Sequence, residues 1–150
     1  MKGFVAITRN EWIDYIKSKN FEEAVFWKKR LQFKALKEGE YFYFLNRASV
    51  NSNRYIIGKA VFGGFQTVQS DEAWKKFGQK LGSDKDEFDN LVNKICGSEL
   101  SAIGCICLKN VKFASEPILL QNLSFDISPF TVSGKTISEC ECEELERSWK

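Results

Sequence analysis

GEYFYFLNRASVNSNRYIIGKAVFGGF, residues 39–65, is the stretch that decides the fold. Alternation puts Tyr41, Tyr43 and Leu45 on one side and Phe42 and Phe44 on the other. Both sides are apolar, which is the pattern of a central strand buried on two faces. The polar run ASVNSN reads as a loop, and RYIIGKAVFGGF resumes as a long strand. Gly58 inside that strand marks a bulge or a close approach, and the Gly63-Gly64 pair marks a bend. Two adjacent strands, set among segments that otherwise alternate strand with helix, argue for an α+β fold or a partly open barrel. They argue against a doubly wound sheet.

Working outward, GFVAIT (residues 3–8) reads as a first strand, and Asn10 as the cap of a helix through EWIDYIKSK with Trp12, Ile13 and Ile16 inward. Asn20 closes that helix. Residues 23–28 are extended, and QFKAL forms a short helical turn stopped by Gly39. On the C-terminal side, DEAWKKFGQKLG (71–82) is helical, and Ser83 caps a second helix with Phe88, Leu91, Val92 and Ile95 as its apolar stripe. AIGCICLKNVKF returns to strand, EPILLQNLSFDISPF is loop-like, and TVSGKTI is a last short strand. Ser138 and Glu141 form a capping box that opens an acidic C-terminal helix.

The 150 residues suffice for one domain with a real core. The net charge of +2 hides an asymmetry: residues 1–60 hold 12 Lys/Arg against 6 Asp/Glu, while residues 61–150 hold 10 against 14. The first part can therefore present a positive field to a polyanion. Histidine is absent, which excludes Ser-His and Cys-His nucleophile pairs, imidazole bases and histidine metal ligands. No paired carboxylates stand in an apolar context, so no enzyme chemistry and no cofactor are expected. The five cysteines read as reduced thiols. Cys105 and Cys107 share one face of a buried strand, whereas Cys140 and Cys142 diverge on a helix, a poor arrangement for one zinc ion. No apolar run is long enough to span a bilayer and the N-terminus lacks signal-peptide character, so a cytoplasmic location with no membrane partner is expected.

AVFWKKRLQFK, residues 24–34, sets Phe26 and Trp27 directly against Lys28, Lys29 and Arg30. A core strand has no use for those charges, and a solvated face has no use for the tryptophan. A flat, anionic ligand suits both.

Taken in order, the segments resemble a PUA-like domain close to the EVE and YTH branches. More narrowly, the chain is similar to the N-terminal domain of modification-dependent restriction endonucleases that carry an HNH nuclease module. The resemblance rests on FVAITRNEW, VFW at 25–27, F-x-A-L-x-x-G-E at 33–40, YFYFL, IIGKAVFGGF, A-W-x-x-F-G at 73–78, IGCICL at 103–108 and GKT at 134–136. Two departures stand out: Lys28–Arg30 where a proline is usual, and Leu81-Gly82 where Asn-Gly is usual. The resemblance implies a PUA-like, partly open β-barrel flanked by helices over residues 1–137. Residues 138–150 then form a helix that can begin a linker to a nuclease module.

It also implies a non-catalytic reader of a modified base, flipped from DNA into an aromatic pocket, that targets an attached or partner nuclease in a defence role. An RNA-binding PUA-like module and a small-ligand domain are the alternatives. Trp27 is then the first stacking wall, and its loss should spare the fold. Phe26 points the other way and is favoured for the core, while Trp12 and Tyr43 are further candidates for the pocket. Thr8 can donate to a base edge or cap the helix, and Asn46 can read an edge. Lys28, Lys29, Arg30, Lys34 and Arg47 are the candidates for the phosphates.

Overall fold

The computed structural model describes residues 1–48, 52–98, 100–129, 131 and 133–150. Six strands form one sheet: β1 (Gly3–Thr8), β2 (Ala24–Lys28), β3 (Tyr41–Asn46), β4 (Tyr55–Gln69), β5 (Ala102–Leu119) and β6 (Gly134–Ile137). Their spatial order is β2-β5-β4-β3-β1-β6, and the sheet is not closed into a barrel. β1 and β3 run parallel, with Gly3 opposite Tyr41 and Thr8 opposite Asn46, and every other pairing is antiparallel. Four helices flank the sheet: α1 (Asn10–Lys19), α2 (Ser70–Phe77), α3 (Lys85–Cys96) and α4 (Glu139–Ser148). The α+β class expected from residues 39–65 holds. Among the described residues no helix is long and apolar enough to cross a membrane.

β3 is central, and its alternation sorts the core. Phe42 and Phe44 join Trp12, Ile13 and Ile16 of α1 on one face. Tyr43 and Leu45 join Ile137, Cys142 and Leu145 beneath α4 on the other. A third cluster lies between β2, β5 and the pair α2 and α3, with Val25, Trp27, Ile103, Cys105, Phe88 and Val92.

The long β4 carries the curvature. Its register against β5 shifts between Ile56 and Gly58, between Lys59 and Val61 and between Phe62 and Gly64, and such bulges sharpen the local twist. Gly58 is required there, because a Cβ would fall 2.8 Å from the Lys112 carbonyl oxygen. Gly64 sits at φ +135°, where other residues are strained.

Several local expectations shift by a residue or fail. Asn10 is the first residue of α1 and not its cap: Arg9 holds the cap position without a side-chain bond, and Asn10 Nδ2 donates to the Arg47 carbonyl at 3.0 Å. Asp84, not Ser83, precedes α3, and the buried Ser83 hydroxyl finds no partner among the described residues. Residues 32–36 form no helix. Phe33 is drawn instead into ring contacts with Phe4, Phe42, Phe62 and Phe65, so packing overrides the local preference. The 71–82 helix ends at Phe77 and continues as a 3-10 turn over Gly78–Leu81. β5 runs on to Leu119, taking the start of the expected loop into the sheet. Ser49–Asn51 of the ASVNSN loop, and Phe130 and Val132 near the last strand, lie outside the described residues.

α4 begins as expected, with the Ser138–Glu141 capping box formed in both directions. It is fastened to the sheet by Glu146, which accepts from Tyr43 Oη at 2.6 Å and from Lys59 Nζ at 2.7 Å. Lys59 Nζ also lies 4.5 Å from the centre of the Trp149 ring. The cysteine pairs fall in separate places: Cys105 sits in the α2 and α3 cluster, and Cys142 lies under α4.

A candidate nucleic-acid cleft

If the sheet were flat, β2 and β1 would lie four strand spacings apart, roughly 19 Å. Instead both line one cavity of about 540 Å³, so the bulged sheet curls until its two sides face each other. One wall is β2 and the residues that follow it: Phe26, Trp27, Lys28, Lys29 and Arg30. The other is the end of β1 with Ile7, Thr8 and Arg9, joined by Arg47 just beyond β3 and by Ser133. Trp12 of α1 and Ile95 of α3 complete it.

The far wall is fixed through its backbone. Arg47 N donates to Thr8 O at 3.1 Å, and Ile7 N donates to Ser133 O at 2.9 Å. The Arg9 carbonyl accepts from Trp12 N and Ile13 N at the first turn of α1. A strand end and a helix start therefore clamp Arg9 from both sides.

Among the described residues five cations line the cleft, and no Asp, Glu, Cys or Tyr does. None of the five makes an ion pair among the described residues. Lys29, Arg30 and Arg47 are exposed, while Arg9 and Lys28 are half-buried. Burial, then the neighbouring Arg30, lowers the Lys28 pKa. Its ammonium rests 4.7 Å from the centre of the Phe33 ring. Burial is also the main cause lowering the Arg9 pKa; Glu11 opposes it, Arg47 adds to it, and Glu87 opposes it more weakly. A site with this much unneutralised charge of one sign is built for an anion.

Eight of the eleven residues expected at the site come together here: Thr8, Trp12, Phe26, Trp27, Lys28, Lys29, Arg30 and Arg47. Three do not. Tyr43 is wholly buried on the opposite face of the sheet, its hydroxyl held by Glu146 and its pKa raised chiefly by burial. Asn46 is spent on the sheet, its Oδ1 accepting from Tyr55 N at 2.7 Å across the β3–β4 irregularity. Lys34 is exposed and stands away from the cleft, because the irregular 32–36 segment turns Phe33 inward instead.

The roles of the aromatics also change. Trp27 is 9% exposed and packs edge-to-face on Phe88 at 5.3 Å, so it is a core residue that only reaches the cleft. Phe26, favoured for the core, is the more exposed of the two. The reason is topological: α2 and α3 cover the Trp27 side of β2. Trp12 is buried as well, donating from Nε1 to Val25 O at 3.2 Å and wedged between Phe26 and Phe44. Gly82 backs it, at φ +95°, where a Cβ would collide with the indole. Thr8 is buried and its hydroxyl donates to Ala6 O at 2.9 Å, which leaves only its acceptor lone pairs for a ligand. Exposed apolar surface in the cleft comes from Phe26, Ile7 and Ile95, the last 38% exposed.

Arg9, Ile7, Ile95 and Ser133 were not among the expected site residues. Arg9 adjoins Thr8 in the same ITRNEW string, and Ile95 is the end of the α3 stripe that finds no core partner.

No family model matches the chain, and no curated protein matches it. Solved structures do. A tyrosine-to-phenylalanine variant of the ASCH protein from Zymomonas mobilis matches over the whole of both chains, at 16% identity and a TM-score of 0.75. The ASCH structure from the same organism matches at 15% identity and 0.75, over 99% of this chain and 96% of that one. A serine-to-alanine variant gives 14% and 0.72 over the same shares. At such identity the likeness shows the fold alone, and that fold is PUA-like. The neighbours lend nothing to the narrower EVE and HNH-restriction expectations.

Proposed function

We propose that the cleft between β1 and β2 binds a nucleic acid and receives one unstacked base. The observation that carries this reading is the lining: among the described residues, five cations without an ion pair, no carboxylate, and apolar surface from Phe26, Ile7 and Ile95 backed by two buried tryptophans. A base needs flat or apolar surface, contributing about 1–3 kcal/mol per stacked base, and its flanking phosphates need Lys or Arg. The volume of about 540 Å³ lies within the usual range for ligand pockets. Because the rim is open, the base can enter while its backbone stays outside, so extrusion from a duplex or entry from a single strand both suit it.

The reading is of a module that binds and does not cut. The chain has no histidine, and the described residues that line the cleft include no carboxylate and no thiol. The resemblance to EVE- and YTH-like domains extends the reading to a modified base in DNA, with an attached or partner nuclease supplying cleavage in the cytoplasm. A methyl on the base adds roughly 0.8 kcal/mol of apolar contact, so discrimination by that group alone is about fourfold.

Fluorescence anisotropy with methylated, hydroxymethylated and plain DNA duplexes, and with single-stranded RNA, at 50 and 200 mM salt tests all of this. Tight, salt-sensitive binding that ranks a modified duplex first is the expected result. Equal affinity for the three duplexes removes modified-base reading; RNA outranking all of them moves the target to RNA. No binding at low salt removes the nucleic-acid reading altogether.

A further inference from the structure

Resting on that reading, we infer that Arg9 reads the base and selects one with two adjacent hydrogen-bond acceptors, guanine through O6 and N7 or cytosine through N3 and O2. The other polar candidates are already committed or lie at the rim. Asn46 is held by Tyr55, Tyr43 by Glu146, and the Trp12 indole N–H by Val25. Lys28 sits over Phe33, and Lys29, Arg30 and Arg47 are exposed at the mouth, where phosphates pass.

Arg9 differs from all of these. It is half-buried, its backbone is clamped between β1 and α1, and its guanidinium makes no hydrogen bond or ion pair among the described residues. Arg9 lines the cleft and brings a rigid fork of five N–H donors that no described residue accepts from. A base offering two neighbouring acceptors satisfies that fork in the bidentate manner. Adenine, thymine and uracil alternate donors with acceptors along their edges and satisfy half of it at best. The Thr8 oxygen, its hydroxyl proton already donated to Ala6 O, is an acceptor that lines the same cleft. The exocyclic amine of cytosine is a donor of the kind that complements it.

The test uses the full chain and oligothymidylate nonamers with one central guanine, cytosine or adenine. Bidentate pairing predicts that guanine or cytosine binds about 5- to 150-fold more tightly than adenine or thymine at that position. Arg9→Lys keeps the charge and loses the fork. It should therefore keep the salt dependence of binding while the base preference collapses to within about twofold. Absence of preference in the native protein, or a preference that survives Arg9→Lys, overturns the inference and leaves nucleic-acid binding intact. Failure of every nonamer to bind overturns the inference, and failure of the duplexes and the RNA as well defeats the nucleic-acid reading with it.

Discussion

Neutralising the rim of the cleft should change how binding responds to salt far more than it changes the fold. Lys29, Arg30 and Arg47 are exposed and make no ion pairs among the described residues. Replacing all three by Gln should then cost no more than about 0.5 kcal/mol of stability at each site. If the four cleft cations other than Arg9 displace counterions from a single strand, the slope of log K against log salt is about −2.8. Affinity then falls about 50-fold between 50 and 200 mM. With only Lys28 left to meet a phosphate, the slope becomes about −0.7 and the fall about 3-fold. Anisotropy on an oligothymidylate 12-mer across that range measures both slopes, and thermal melting checks that the variant is folded. A folded triple variant that keeps the native slope would place the phosphates elsewhere on the molecule and refute the assignment of the rim.

Two further perturbations test the scaffold behind the cleft. Trp27→Ala should cost about 3–5 kcal/mol and lower the melting temperature by about 6–20 °C, because the indole packs on Phe88 in the third core cluster. A variant that melts like the native protein in calorimetry would restore Trp27 as a free stacking wall. In the α4 anchor, the Lys59 side chain is 13% exposed and that of Glu146 is 31% exposed, so the two partners differ in what their loss strands. Glu146→Ala strands a largely buried ammonium and leaves the Tyr43 hydroxyl with only the Cys142 sulfur at 3.8 Å, and should cost about 3 kcal/mol. Lys59→Met leaves a carboxylate that still accepts from Tyr43 and can reach water, and should cost about 1 kcal/mol. Chemical denaturation of the two variants in parallel measures the order, and the reverse order would show that the carboxylate, not the ammonium, depends on the pair.

The central strand was legible because its code is local. Tyr41 to Leu45 carries apolar residues on both faces, and no arrangement except burial on both sides accommodates that. The bulges were legible for a similar reason: Gly58 and Gly64 remove side chains where the Lys112 carbonyl crowds the chain or where φ turns positive. What failed locally failed where a side chain had a better offer at a distance. Asn10 does not cap α1 and donates to the Arg47 carbonyl. The 32–36 segment gave up its helical turn so that Phe33 could join four other rings.

The cleft itself depends on non-local facts of that kind. Phe26 and Trp27 are neighbours with opposite faces, and the sequence pattern is the same whichever of them is covered. α2 and α3 decide it, and they pack over Trp27. Likewise nothing in the ITRNEW string says that the end of β1 will face β2 across three intervening strands. That meeting is produced by the curl of β4, some fifty residues further along the chain. Once it occurs, the run of charges from Lys28 to Arg30 becomes one wall of a two-walled site. Arg9, which drew no notice as a single residue beside Asn10, becomes a half-buried cation of the cleft with no hydrogen bond or ion pair among the described residues. Charge in the sequence could locate one wall of the cleft, but only the curl of the sheet separates the exposed cations at its rim from the half-buried one at the opposite wall.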